Sequence, residues 1–175
     1  MDIKQDFFQL YDLPRSYLID LNQLQRHHRK LQQQFHPDRY VTAMAADQRL
    51  AVQVTAYLNQ AFKTLKDPVS RGVYLLELAG LQPLAAENTQ MPTDFLLQQI
   101  GFRESIEAVP EAMDQGKTIS DLFNLLKHQV KEIVAEFDDA YKAERLLEAE
   151  VAIRKLQFMA RLQQQLQLQQ EVLID

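Results

Sequence analysis

Four glycines in 175 residues, at positions 72, 80, 101 and 116, constrain what this chain can fold into more than any other feature. Average chains carry about 7% glycine. Strand-rich folds need glycine-bearing turns every ten residues or so, and nucleotide-binding α/β folds need glycine-rich phosphate turns. Four scattered glycines supply neither, so helices must carry the fold. Cysteine is absent. That excludes disulfides, thiolate zinc sites, cysteine-ligated iron–sulfur clusters and cysteine nucleophiles, and it favours a reducing compartment. Apolar residues make up 46% of the chain, enough for a core in one large domain or two small ones. There is no 18-residue apolar run to span a membrane. The acidic start from Met1 to Phe8 lacks the basic-then-apolar layout of a secretory leader. These features predict a soluble, intracellular, all-α protein.

The charge divides unevenly. Residues 1–80 hold ten Lys and Arg against eight Asp and Glu, a net of +2, and the remaining nine basic and 16 acidic residues give −7. Three of the four histidines (27, 28 and 36) also lie in the first part. Between Gly80 and Pro92 no helical stripe is sustained. Residues 81–91 therefore read as a linker between helical domains at 1–80 and 92–175.

In the first part, Phe7, Phe8, Leu10 and Tyr11 suggest one or two helical turns before Pro14. Asp20, with Gln23 three residues later, fits a capping box opening a helix. At 100° per residue Leu24, His28, Leu31 and Phe35 share one face, with Arg26, Arg29 and Lys30 opposite. His28, at an apolar position, reads as a packed ring. A zinc site of His27, His28 and His36 does not match ligand spacing. Pro37 must end the helix near Phe35, since it disfavours αR at His36. Ala51, Val54, Leu58, Ala61 and Leu65 mark a second long helix, antiparallel to the first, with His36-Pro37-Asp38 exposed between them. Asp67 and Pro68 open a further helix as N-cap and first residue, and Gly80 closes it.

A fixed tripeptide turns up by chance in roughly 2% of chains this long, so His36-Pro37-Asp38 needs support. The basic face Arg26/Arg29/Lys30, the stretch Asn59 to Leu65, and Asp67-Pro68 followed by Arg71 and Tyr74 provide it. Together these residues resemble the J domain of DnaJ-type co-chaperones. The resemblance implies that the loop and basic face, with Arg39, dock on a DnaK-type chaperone and stimulate its ATPase. Steering by cations and a proline-stiffened loop suit such docking. A catalytic His36/Asp38 pair would need a nucleophile and an oxyanion cradle, and neither is evident. A nucleic-acid-binding reading fits poorly with a pI near 5.4.

The second part predicts three helices in an antiparallel bundle. The first runs from Thr93 or Asp94 through Val109, with Phe95, Phe102, Ile106 and Val109 as a core stripe. Leu96, Leu97, Ile100, Glu104 and Glu107 cluster on a different face. After breaks at Pro110 and Gly116, a helix from about Thr118 to Ala140 turns Leu122, Leu125, Leu126, Ile133, Val134 and Phe137 inward. The last, from about Ala143 to at least Leu166, has Leu146, Ala149, Ile153, Leu156 and Ala160 on one side and Leu147, Val151, Phe158 and Leu162 opposite. A three-helix bundle needs one apolar stripe per helix. The second stripes either wrap neighbouring helices or form a partner surface with an acidic rim.

With the J-domain residues, Tyr74 to Gly80, Met91 to Leu97 leading into Arg103-Glu104, and Arg154 to Phe158 make nearly the whole chain similar to the HscB family of J-proteins in iron–sulfur cluster assembly. That resemblance implies an L-shaped two-domain arrangement, a bacterial cytoplasmic location, no cofactor or resident metal and no enzymatic activity of its own. It implies two partners, an HscA-type ATPase chaperone and an IscU-type scaffold, and leaves a weak homodimer open. Leu96, Leu97, Ile100, Glu104 and Phe158 match the family's scaffold-contacting positions. Gly101 and Ala108 stand where acids are common in the family, and His28 replaces its usual aromatic residue. A general J-domain co-chaperone with another client remains the alternative.

Overall fold

The computed structural model describes residues 5–83 and 91–174, and among these every regular element is helical. The chain divides into two compact units, Met1–Ala79 and Gly80–Asp175. Most of the expected linker, residues 84–90, lies outside the described residues.

In the first unit α1 spans Phe7–Leu10, α2 Leu21–Phe35, α3 Ala45–Lys66 and α4 Pro68–Leu78. Local chemistry sets most of these bounds. Asp6 and Gln9 form a reciprocal capping box on α1. Asp20 caps α2 by accepting from the backbone of Asn22 and Gln23. The return half of the box expected there is missing, because Gln23 donates instead to the Asp12 carbonyl at 3.1 Å. Asp67 accepts from Ser70 N at 2.7 Å, with Pro68 opening α4 behind it. Gly80 leaves α4 at φ +89°, the left-handed conformation that glycine adopts without strain.

α2 and α3 pack antiparallel, and their contacts show the register. His28 stacks on Phe62, Gln32 donates to Asn59 at 3.1 Å, and Thr55 donates to the Phe35 carbonyl at 3.1 Å. Leu24, Leu58 and Leu65 are fully buried, each stabilising by about 1.5–3 kcal/mol. Leu31 and Phe35, on the same stripe, are only half-buried. The Tyr11 hydroxyl donates to the Leu58 carbonyl at 2.7 Å. With its one proton so used, it must accept from His28 Nδ1 at 2.9 Å. Tyr74 stacks on Phe7, and its hydroxyl accepts from Phe7 N at 3.1 Å, tying α4 to α1. Arg71 is buried, donating to the Leu65 carbonyl at 2.6 Å with its guanidinium over the Tyr17 ring.

In the second unit α5 spans Thr93–Glu107, α6 Gln115–Lys142 and α7 Leu146–Ile174. α6 and α7 form a long antiparallel pair, and α5 packs chiefly against α7. α5 stops two residues short of the predicted end, as Val109–Glu111 tightens into a 3-10 turn at Pro110. α6 starts earlier than expected because Asp114 caps it through Lys117 N, and the first turn tolerates Gly116. α7 starts later than Ala143, because Ala143 caps α6 and Glu144 turns the chain at φ +57°.

One residue expected inward points out. Leu125 is 51% exposed. Ile119, Leu122, Leu126, Ile133 and Phe137 lie within one arc, whose centre is about 90° from Leu125. Ala160 is also exposed, whereas Met159, Leu162 and Leu166 are buried. Between α5 and α6, α7 buries residues around most of its circumference.

Candidate functional site

In the first unit, Pro37 forces His36 to φ −60° and ψ 130°, so the chain leaves α2 in an extended conformation and tightens into a 3-10 turn over Pro37–Tyr40. The His36 ring closes the corner by accepting from Asp38 N at 3.3 Å. With Nδ1 as acceptor, the neutral ring carries its proton on Nε2. The Asp38 carboxylate lies 3.5 Å from His36 Nδ1, and both side chains are exposed, at 56% and 86%. Gln48 donates to the Val41 and Ala43 carbonyls at 2.9 and 3.1 Å, holding the following loop.

Arg26, Arg29 and Lys30 are exposed on the face of α2 opposite Leu24 and His28. Arg26 makes a long 4.0 Å ion pair with Asp20, both exposed, which is worth little in water. Arg39 is exposed too, but its guanidinium caps α2 by donating to the Gln33 carbonyl at 3.1 Å. The corner thus presents one ring, one carboxylate and a cationic flank on backbone fixed by its own hydrogen bonds.

In the second unit, a groove of about 540 Å³ runs between α5 and α7. Leu96, Ile100, Glu104 and Phe158 line it together. Leu97 does not line it; it is 64% exposed on the outer side of α5. Phe158 meets Phe95 edge-on at 6.2 Å between centroids, and the Arg161 guanidinium lies 5.7 Å from its ring. The second stripe of α5 is therefore a surface, with Glu104 and Glu107 on its rim. That of α7 divides: Leu162 is buried, Val151 and Phe158 are half-buried and Leu147 is exposed.

The sequence reading missed Gln99, Arg103, Arg161 and Gln165 in the groove lining. Arg161 and Gln165 follow Phe158 at helical spacing, a signal that could have found them. Gln99 sits on the core stripe of α5, where its polarity was the only signal. His27 donates to the Tyr11 carbonyl and His28 is buried, so neither joins His36. Among the described residues no cluster of three or more His, Asp or Glu is placed to hold a metal. No helix among them is long and apolar enough to cross a membrane.

An antiparallel helical pair with a His-Pro-Asp corner and a cationic flank is a J domain, so the chain is a J-domain protein carrying a separate helical bundle. Residues 91–167 match the HSCB C-terminal oligomerisation domain. A co-chaperone HscB homologue of Shewanella pealeana is 38% identical over 174 residues, covering 97% of this chain and 99% of the relative. One from Aromatoleum aromaticum is 34% identical over 167 residues, covering 95% and 94%. The solved chaperone HscB from Vibrio cholerae superposes with a TM-score of 0.87 at 31% identity over 97% of this chain and 99% of that one. Human co-chaperone HscB gives 0.88 at 25% identity over 97% and 84%. The chain belongs to the HscB co-chaperone family.

Proposed function

We propose that this chain is a non-enzymatic adaptor that stimulates the ATPase of an HscA/DnaK-type chaperone and delivers an IscU-type iron–sulfur scaffold to it, in the bacterial cytoplasm. The J domain in residues 1–80 meets the chaperone. His36, Pro37 and Asp38 insert, while Arg26, Arg29, Lys30 and Arg39 steer toward an acidic surface. His36 offers a donor at Nε2, and Asp38 accepts charge-assisted hydrogen bonds from a partner cation. The corner is held by the His36–Asp38 N contact and by Pro37, so little ordering entropy is lost on docking. Residues 92–175 hold the scaffold on the α5 face. Leu96, Ile100 and Phe158 are the apolar anchors, Glu104 the acidic rim, and Leu97 extends the contact outside the groove.

The observation that carries this reading is the pairing, in one family member, of an exposed His-Pro-Asp corner with an apolar groove on a separate unit. It is tested with His36→Gln in an ATPase assay containing the chaperone and the scaffold protein. Stimulation is lost, while the circular dichroism spectrum and scaffold binding are unchanged. Full stimulation by the variant would overturn the docking role of the corner.

A further inference from the structure

We propose that Gln99 is a specificity-determining residue of the α5–α7 groove, its amide accepting a hydrogen bond from an N–H group of the bound client. The inference rests on the reading of this groove as the client surface, and adds a polar requirement to its apolar anchors.

Gln99 falls on the core stripe of α5 with Phe95, Phe102 and Ile106, at a seam position where an apolar residue would ordinarily pack. Its side chain is buried, at 8% exposure, yet it also lines the groove beside Leu96, Ile100 and Phe158. Its amide is poorly satisfied. Nε2 donates to the thioether sulfur of Met159 at 3.5 Å, and among the described residues the buried Oε1 has no hydrogen-bond partner. Thioether sulfur is a weak acceptor, and a buried carbonyl oxygen without a donor is destabilising.

An amide that served only to set the α5–α7 register would be expected to meet a second amide or a backbone group across the seam. Here it meets a methionine. The terminal amide torsion is broad and nearly two-fold, so turning it costs little beyond the sulfur contact. Gln99 lines the groove, so an occupant with a suitably placed N–H can draw Oε1 to it as the amide turns. A purely apolar occupant would leave that oxygen buried and unpaired, whereas one with an N–H at this point satisfies it. Sites built to hydrogen-bond reject ligands lacking the matching group far better than apolar pockets reject shape variants. Gln99 therefore discriminates among occupants that the apolar anchors would all accept.

The test uses the full chain, titrated calorimetrically with an IscU-type scaffold protein, alongside thermal melting of the free chain. Gln99→Met keeps the length of the side chain and removes the amide. It melts at the same temperature or higher, while its Kd for the scaffold rises about tenfold, the loss of one hydrogen bond to a buried neutral group. Should Gln99→Met melt lower, Gln99→Leu is the second apolar replacement. If both melt lower, Gln99 is a packing residue and the proposal is overturned. The control is Leu96→Ala with Phe158→Ala, which weakens binding about thirtyfold or more if these side chains are hot spots. Control loss with unchanged affinity for Gln99→Met overturns the role of Gln99 alone. Unchanged affinity in the control, or no binding by the unaltered chain, overturns the groove as client surface and this inference with it.

Discussion

His28 makes the J domain acid-sensitive in a way that Phe at the same position would not. The ring is buried, stacked 4.0 Å from Phe62 with the planes 12° apart, and its Nδ1 proton goes to the Tyr11 hydroxyl. Burial lowers its pKa below the ordinary 6.5, because the charged imidazolium would lose hydration that Phe62 does not replace. Below pH 6.5 the unfolded chain takes up a proton at this position that the folded chain resists. Stability therefore falls with falling pH below 6.5 and is untouched by this group above it. For a single proton the slope is at most about 1.4 kcal/mol per pH unit. His28→Phe removes the titration and keeps the stack on Phe62. It forfeits one neutral hydrogen bond, about 1 kcal/mol, while Tyr11 still donates to Leu58 at 2.7 Å. The assay is urea unfolding from pH 7.5 to 5.0, followed by near-ultraviolet circular dichroism of tyrosine. Five of the six tyrosines (11, 17, 40, 57 and 74) lie in the first unit, so the signal reports on the J domain. His28→Phe should be slightly less stable at pH 7.5 and should lose less stability on acidification. Because the other histidines are common to both chains, parallel stability curves would refute the argument.

Gly101 lies in the middle of α5, and a Cβ added there meets nothing within 4 Å. Gly101→Ala should raise the stability of the second unit by about 1 kcal/mol, seen as a higher thermal midpoint. An unchanged or lower midpoint would mean that the glycine has a packing role the structure does not show. Gly80→Ala meets no neighbour either, but it must hold φ at +89°. It should cost about 1–2 kcal/mol through backbone strain alone, measured as a lower urea midpoint.

The bounds of α2 and α4 and the end of α3 are legible because they depend on residues a few positions apart. Pro37 acts on the residue before it, Asp67 reaches Ser70, and Gly80 accepts a positive φ without steric help. The His36–Asp38 corner is likewise a local structure, closed by a hydrogen bond spanning two residues. The local signals fail where an interaction reaches further along the chain or where a residue lies off the stripe that its spacing suggests. Gln23 is drawn to Asp12 rather than back to its own cap, and Leu125 lies about 90° off the buried stripe of α6. The start of α7 is not legible because a left-handed non-glycine residue, Glu144, carries no sequence signature.

By itself the sequence determined that this protein is helical, where α2 and α4 begin and end, and that a His-Pro-Asp corner caps a basic helix. Scarce glycine, capping side chains and proline act locally, so their effects do not wait on the rest of the fold. Only the tertiary structure decided what became of the surplus apolar stripes. It left Leu96 and Ile100 open on α5, buried Leu162 on α7, and set Phe158 between the two fates at the edge of the groove. It also placed Gln99 in the seam against Met159. Burial is a property of neighbours distant in the chain, and periodicity can count stripes without saying which of them another helix will cover.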